Sequence, residues 1–155
     1  MNKEHHYALS LEWTGNLGTG TSQYRAYTRD HFISVAGKPD LLASSDPAFR
    51  GDKTRYNPEE MLVAALSSCH MLSYLHVCVV NGVIVTEYKD NATGTMKENP
   101  DGSGELTEVT LRPQVKVKDE SMIEKANHLH EEASRLCFIA RSVNFPVHHI
   151  PTAVI

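Results

Sequence analysis

The stretch that decides the fold is Asn57-Pro58-Glu59-Glu60-Met61-Leu62-Val63-Ala64-Ala65-Leu66-Ser67-Ser68-Cys69-His70-Met71-Leu72-Ser73-Tyr74-Leu75-His76-Val77-Cys78-Val79-Val80-Asn81. It opens as a helix should. Asn57 suits the N-cap, and Pro58 suits the first helical position because its missing N–H would be unpaired there anyway. Glu59 and Glu60 place negative charge on the positive end of the helix dipole. Gly82 offers the stop. From Met61 to Val80 there is no Asp, Glu, Lys or Arg, so the helix is apolar nearly all round, the pattern of a helix enclosed on every side. In its middle sits Cys69. A run of this length also meets the length test for a membrane span. Against that stand His70, His76 and three serines, which would need partners in lipid, and the want of a flanking basic cluster. A buried central helix accounts for more of the sequence.

Outward from this helix, 155 residues read as one domain, 1–155, able to bury a substantial core without cross-links. The formal charge of −4 and the absence of a long basic run argue against nucleic acid as the main partner, since phosphate must be neutralised by Lys and Arg. The N-terminus, Met-Asn-Lys-Glu-His-His, has neither the apolar core nor the small-residue cleavage site of a signal peptide, and a cytoplasmic location is expected. Three cysteines, Cys69, Cys78 and Cys137, are too few and too far apart for a secreted disulfide framework. In a reducing compartment they are buried hydrophobes or redox and nucleophilic groups.

Along the rest of the chain, residues 6–13 alternate (Tyr7, Leu9, Leu11 and Trp13 on one side) as a half-buried strand does, and residues 23–29 and 31–36 continue an antiparallel meander. Residues 37–56 carry Gly37, Pro39, Pro47 and Gly51 with little periodicity and read as a long loop delivering Arg50 and Arg55 to the mouth of the helix. Residues 83–98 and 106–118 flank the turn signal Asn99-Pro100-Asp101-Gly102 and form a hairpin. Ser121 and Glu124 have capping-box spacing, and Ile123, Ala126, Leu129, Ala133, Leu136 and Ala140 keep a helical period, so a second helix carries Cys137 near its end. The tail from Phe145 suggests a closing edge strand. The fold expected is α+β, with antiparallel sheets wrapped around the long apolar helix.

Asn57 to Met61, the Ala-rich turn that follows, Cys69 ten residues after Glu59, and Cys137 near the end of a later helix resemble the OsmC/Ohr family of thiol-dependent, peroxide-detoxifying proteins. The resemblance implies an intertwined homodimer with two active sites at the subunit interface. It implies Cys69 as the peroxidatic thiol, Cys137 as the thiol that resolves it by an intramolecular disulfide, and an Arg and a Glu that organise the site. It implies an organic hydroperoxide as substrate, an external dithiol as reductant, and no metal or organic cofactor. The chain departs from the family pattern at Phe138, where a proline often follows the second cysteine, and at His70, where an aromatic often follows the first.

The chemistry sets its own conditions. A free thiol with a pKa of about 8.5 is mostly protonated at neutral pH, so a reactive Cys69 needs a positive neighbour. The helix N-terminus cannot supply it, because twelve residues separate Asn57 from Cys69, on the order of 18 Å, and dipole help fades within the first turn. Arg50 and Arg25 are the candidates, with Glu59 as the carboxylate that holds the guanidinium. Yet Glu59 and Cys69 lie about 15 Å apart along one helix. Glu59 must therefore reach the thiol through a long Arg, or come from a second subunit packed antiparallel. For resolution, Cys78 is about 13 Å from Cys69 along the same helix, whereas a disulfide needs Cα atoms within about 7 Å. Cys137 is on a separate element, free to approach.

Two other functions fit parts of the sequence. A dimeric binding protein for an apolar small molecule, with incidental cysteines, would suit the apolar helix and aromatic strands. A cysteine hydrolase would need a histidine base, and His70 points about 100° away from Cys69 on the helix. The nine histidines show no structural-zinc spacing and read as solvated or core residues.

Overall fold

The computed structural model describes residues 2–155. In order they form strands β1 (Ser10–Trp13), β2 (His31–Ser34) and β3 (Leu41–Ala43), helix α1 (Pro58–Val80), strands β4 (Val85–Asp90), β5 (Thr93–Glu98), β6 (Gly104–Leu111) and β7 (Pro113–Val117), helix α2 (Ile123–Leu136), and strands β8 (Val147–His149) and β9 (Thr152–Val154). The α+β class expected from the sequence is what the chain adopts. The elements fall into two compact units, one ending at Met61 and one running Leu62–Ile155.

In the first unit β1, β2 and β3 make an antiparallel sheet in that order, with Trp13 opposite His31 and Phe32 opposite Leu42. The meander is present, but its strands differ from the sequence reading. Residues 23–29 are turns with a single bridge, Asn16 to Tyr27. Their backbone is satisfied locally: the Ala26 N–H donates to the Gln23 carbonyl, and the Arg29 guanidinium folds back onto the Tyr24 and Tyr27 carbonyls. The third strand is instead β3, inside the segment read as loop, where Leu41 and Ala43 alternate too briefly to stand out. The first strand is not half-buried. Tyr7, Leu9, Leu11 and Trp13 are 92%, 63%, 59% and 41% exposed. Gly51 is required where it stands, because a Cβ would meet the Ser45 carbonyl oxygen at 1.6 Å.

Helix α1 begins and ends as its sequence dictates. The Asn57 side chain accepts from the Glu60 N–H at 2.8 Å, and the Glu60 carboxylate accepts from the Asn57 N–H at 3.1 Å, a reciprocal cap. At the far end Gly82 takes φ +71°, the Val83 N–H reaches the Cys78 carbonyl and the Gly82 N–H the Val79 carbonyl, so the last carbonyls are paired.

In the second unit the sheets run β4-β7-β9 and β5-β6-β8. The hairpin read from the sequence is there, but each arm is broken: β4 pairs with β7 and β5 with β6, so one long hairpin serves two sheets. Asp90 holds the break, accepting from the Arg112 N–H at 2.7 Å and from the Ser67 hydroxyl of α1 at 2.5 Å. The tail supplies two short edge strands, β8 parallel to β6 and β9 parallel to β7. The Ser121–Glu124 capping box does not form. A 3-10 turn, Glu120–Met122, precedes α2, and its cap is Asp119, whose carboxylate takes both the N–H and the hydroxyl of Ser121.

Two cores line the inward side of α1. Tyr74, Val77 and Cys78 pack with Val115 and Val117 of β7 and Ala126, Leu129 and Ala133 of α2. Leu66 packs with Val109 and Leu111 of β6. Full burial of a side chain such as Leu66 is worth about 2 kcal/mol. The other side of the helix, with Ala64, Ser68, Leu72, His76, Val79 and Val80, is open in the single chain. By length and composition α1 passes the test for a membrane span, yet its inward side is already taken up by the protein's own strands and α2.

Removing the reciprocal cap should be felt across the whole helix. Asn57→Ala is expected to lower unfolding free energy by about 1 kcal/mol in urea titrations, with the slope of the transition unchanged.

Candidate active site

Cys69 occupies the middle of α1, at the boundary between its packed and open sides, and is half-buried. Cys137 stands one residue beyond the end of α2, not within it: its backbone turns to φ −69°, ψ 111° after Leu136. This break in the helix swings the side chain off the helix surface. The two thiols are neighbours, close enough for Cys69 to act on the ionisation of Cys137, and both are reduced. Cys137 is 1% exposed. Burial, and then the Cys69 thiol beside it, push its pKa up to about 11. The Ala140 N–H points at its sulfur from 3.5 Å. Cys137 therefore stays a thiol at neutral pH, able to donate a proton. Cys78 belongs to the neighbouring core, where burial raises its pKa against the opposing effect of the nearby Tyr74 hydroxyl.

A groove of about 430 Å³ opens at Cys69, lined by Leu72, Ser73 and His76 of α1 with Leu136 and Phe138. Its walls are mostly apolar, and Phe138, the departure noted in the sequence, forms one of them at 77% exposure.

The remaining residues expected at the site lie in the first unit. Glu59 is in the first turn of α1, with Oε2 buried and without a hydrogen-bond partner. Arg50 adopts a left-handed backbone, φ 65°, and its guanidinium lies 6.0 Å from the Tyr24 ring. Arg25 is exposed in the turn region. Among the described residues neither arginine forms an ion pair with Glu59. The cation of that unit with carboxylate neighbours is Arg55, 3.9 Å from both Asp30 and Asp52.

One cluster escaped the sequence reading as a group. His70 of α1, His130 of α2 and His149 of β8 pack together, with His70 Nε2 2.9 Å from His130 Nδ1 and the His70 and His149 rings 4.3 Å apart. Tyr74 stacks on His130 at 3.8 Å. His70 and His130 are sixty apart in the chain, and His149 lies on a third element, so no local spacing joins them. Among the described residues no group of three or more donors is placed to hold a metal. Burial, then the charges of His149 and His130, lower His70 to about 3, and burial with His149 lowers His130 to about 4. His149 is lowered by burial, opposed by Asp90 and reinforced by His148. All three are neutral imidazoles at pH 7.

These depressed values carry a pH dependence. Between about pH 6.5, where the unfolded side chains titrate, and the folded values of about 3 and 4, the unfolded chain binds more protons, so stability falls as the pH falls. At pH 5 unfolding should take up a proton at each of His70 and His130. Urea midpoints followed from pH 7 to pH 4.5 should decline accordingly, and a flat profile across that window would contradict the neutral assignment.

Compared with known proteins, residues 51–150 match the family profile described as OsmC-like protein. An OsmC-like protein of unknown function from Vibrio cholerae superposes with a TM-score of 0.86 at 31% identity, covering 96% of this chain and 99% of that one. An organic hydroperoxide resistance protein from Elizabethkingia anophelis, with thiocyanate bound, gives 0.68 at 18% identity, covering 97% and 98%. The organic hydroperoxide resistance protein OsmC from Legionella pneumophila gives 0.66 at 13%, covering 98% and 100%. The last two likenesses are of fold. No curated protein matches the chain.

Proposed function

The chain belongs to the OsmC-like protein family, and from that premise we propose that it is a thiol peroxidase acting on organic hydroperoxides. The observation that carries this reading is that the Cys69 and Cys137 thiols are neighbours and that Cys69 lines an apolar groove. The groove takes the organic part of the substrate. The Cys69 thiolate attacks the distal peroxide oxygen, the O–O bond breaks, and the alcohol leaves with a proton while a sulfenic acid remains on Cys69. Cys137 then condenses with it: the S–O bond breaks, the S–S bond forms, and water departs with the Cys137 proton. An external dithiol returns both cysteines to thiols. A reducing cytoplasm is the compartment that suits this cycle.

The guanidinium that this chemistry needs is Arg50, with Arg25 as the alternative, held by Glu59. We place this cation and its carboxylate at the Cys69 of a second copy, in a homodimer. Two features support the assembly: the buried, unpartnered Glu59 carboxylate oxygen, and the exposed apolar residues Leu72, Val79 and Val80 on the open side of α1.

The alternative of an apolar-ligand binding protein uses the same groove but leaves the neighbouring thiols without a role. Consumption of cumene hydroperoxide in the presence of a dithiol separates the two. Activity is expected to disappear in Cys69→Ser, whereas Cys137→Ser should complete one turnover and leave a trappable sulfenic acid; activity surviving Cys69→Ser overturns the proposal.

The dimer has its own check. Val79→Glu, which places a charge on the open side of α1 outside the groove at Cys69, should convert a dimer to a monomer in light scattering and reduce turnover at least tenfold.

A further inference from the structure

Two side-chain hydrogen bonds join α1 directly to α2. Tyr74 donates to the Ala126 carbonyl at 3.0 Å, and His70 Nε2 pairs with His130 Nδ1 at 2.9 Å. The second is the nearer to the cysteines. His70 directly follows Cys69, and His130 precedes Cys137 by seven residues, two helical turns. We propose that the His70–His130 hydrogen bond is the clamp that sets Cys137 against Cys69, making both histidines positioning residues for disulfide formation. This inference rests on the peroxidase reading for its place in a cycle, and on geometry for its content.

Each ring is buried, 1% and 2% exposed. Their environments keep both neutral, so one of the two facing nitrogens donates and the other accepts, whichever ring carries the shared proton. Tyr74 on one side and His149 on the other fix the ring planes. The groups facing the pair from every packed element are therefore Tyr74 of α1 and His149 of β8, with His148 of β8 and Asp90 of β4 acting on His149. An apolar replacement on either side strands the remaining imidazole nitrogen in a buried place, which costs more than the bond itself. From this fixed point α2 runs about 10 Å to its end, and there Cys137 must be held to within the narrow range of a disulfide. A small tilt of α2 about an unpinned His130 takes the Cys137 sulfur off the Cys69 sulfur without unfolding either helix.

The clamp acts on the condensation of the two sulfurs and not on peroxide attack, so the two steps should separate in variants. The thiol–disulfide equilibrium of Cys69 and Cys137 is measured in glutathione buffers by acid quench, alkylation and mass spectrometry, which requires no peroxide. Sulfenic acid formation on Cys69 is measured separately with one equivalent of cumene hydroperoxide. His130→Leu and His70→Leu should each lower the effective concentration of the thiol pair about tenfold, the weight of one buried hydrogen bond, while sulfenic acid forms at the original rate. His130→Asn and His70→Gln, whose amides fall near the positions of Nδ1 and Nε2, should recover most of the loss. Cys78, in the core packed between the same helices, should remain protected from alkylation in all four.

Leucine variants with an unchanged equilibrium overturn the proposal. So do Asn and Gln variants no better than leucine, or Cys78 labelling that rises in step, which marks general loosening. If the leucine variants do not fold, His70→Gln against His70→Asn carries the same contrast, because only the longer amide reaches the Nε2 position, and equal values overturn the clamp. A chain that forms no sulfenic acid with hydroperoxide removes the peroxidase reading, while the glutathione equilibria still decide this one.

Discussion

Helix α1 carries both halves of this protein's design because of how its buried residues are spaced. Leu66, His70, Tyr74, Val77 and Cys78 recur at intervals of four, four, three and one, which puts them on one side of a helix. That side anchors both sheets of the second unit and α2. Cys69, one residue before His70, is thereby turned toward the edge of the packed face, where it lies beside both Cys137 and the groove. A shift of the buried set by one position would bury Cys69 or expose it fully, and in neither place would it both line the groove and lie beside Cys137.

The second thiol reaches this point because α2 stops. Had the helix continued through Cys137, the side chain would have followed the helix surface. Instead the backbone becomes extended at Cys137, and the Ala140 N–H closes on its sulfur. Phe138 follows at once and lines the groove, so one short segment supplies both the thiol beside Cys69 and an apolar wall of the groove. The absence of proline after Cys137 does not stop the chain from leaving the helix there, since the turn at 140–142 redirects it.

Much of this was legible in the residues. The helix bounds at Asn57 and Gly82 follow from capping chemistry that acts within a few residues, and the Asn99–Gly102 turn follows from the left-handed glycine it needs. The exclusion of Cys78 as a disulfide partner for Cys69 follows from helical rise alone. The misplaced features are those in which local pattern yields to partners far along the chain. Alternation in residues 23–29 suggested a strand, but the Arg29 guanidinium satisfies that backbone locally. Ser121 and Glu124 had the spacing of a cap, but Asp119 took the Ser121 groups first.

By itself the sequence determined the long apolar helix, its two ends and the α+β class. These depend on backbone conformation and spacing within a single element, which neighbouring residues specify. Tertiary structure alone decided which side of α1 is packed, that one hairpin divides between two sheets, and that His70, His130 and His149 gather into one neutral cluster. Those outcomes depend on desolvation and hydrogen bonding between residues about twenty to sixty positions apart, and an imidazole reads the same in sequence whether it faces water or another imidazole.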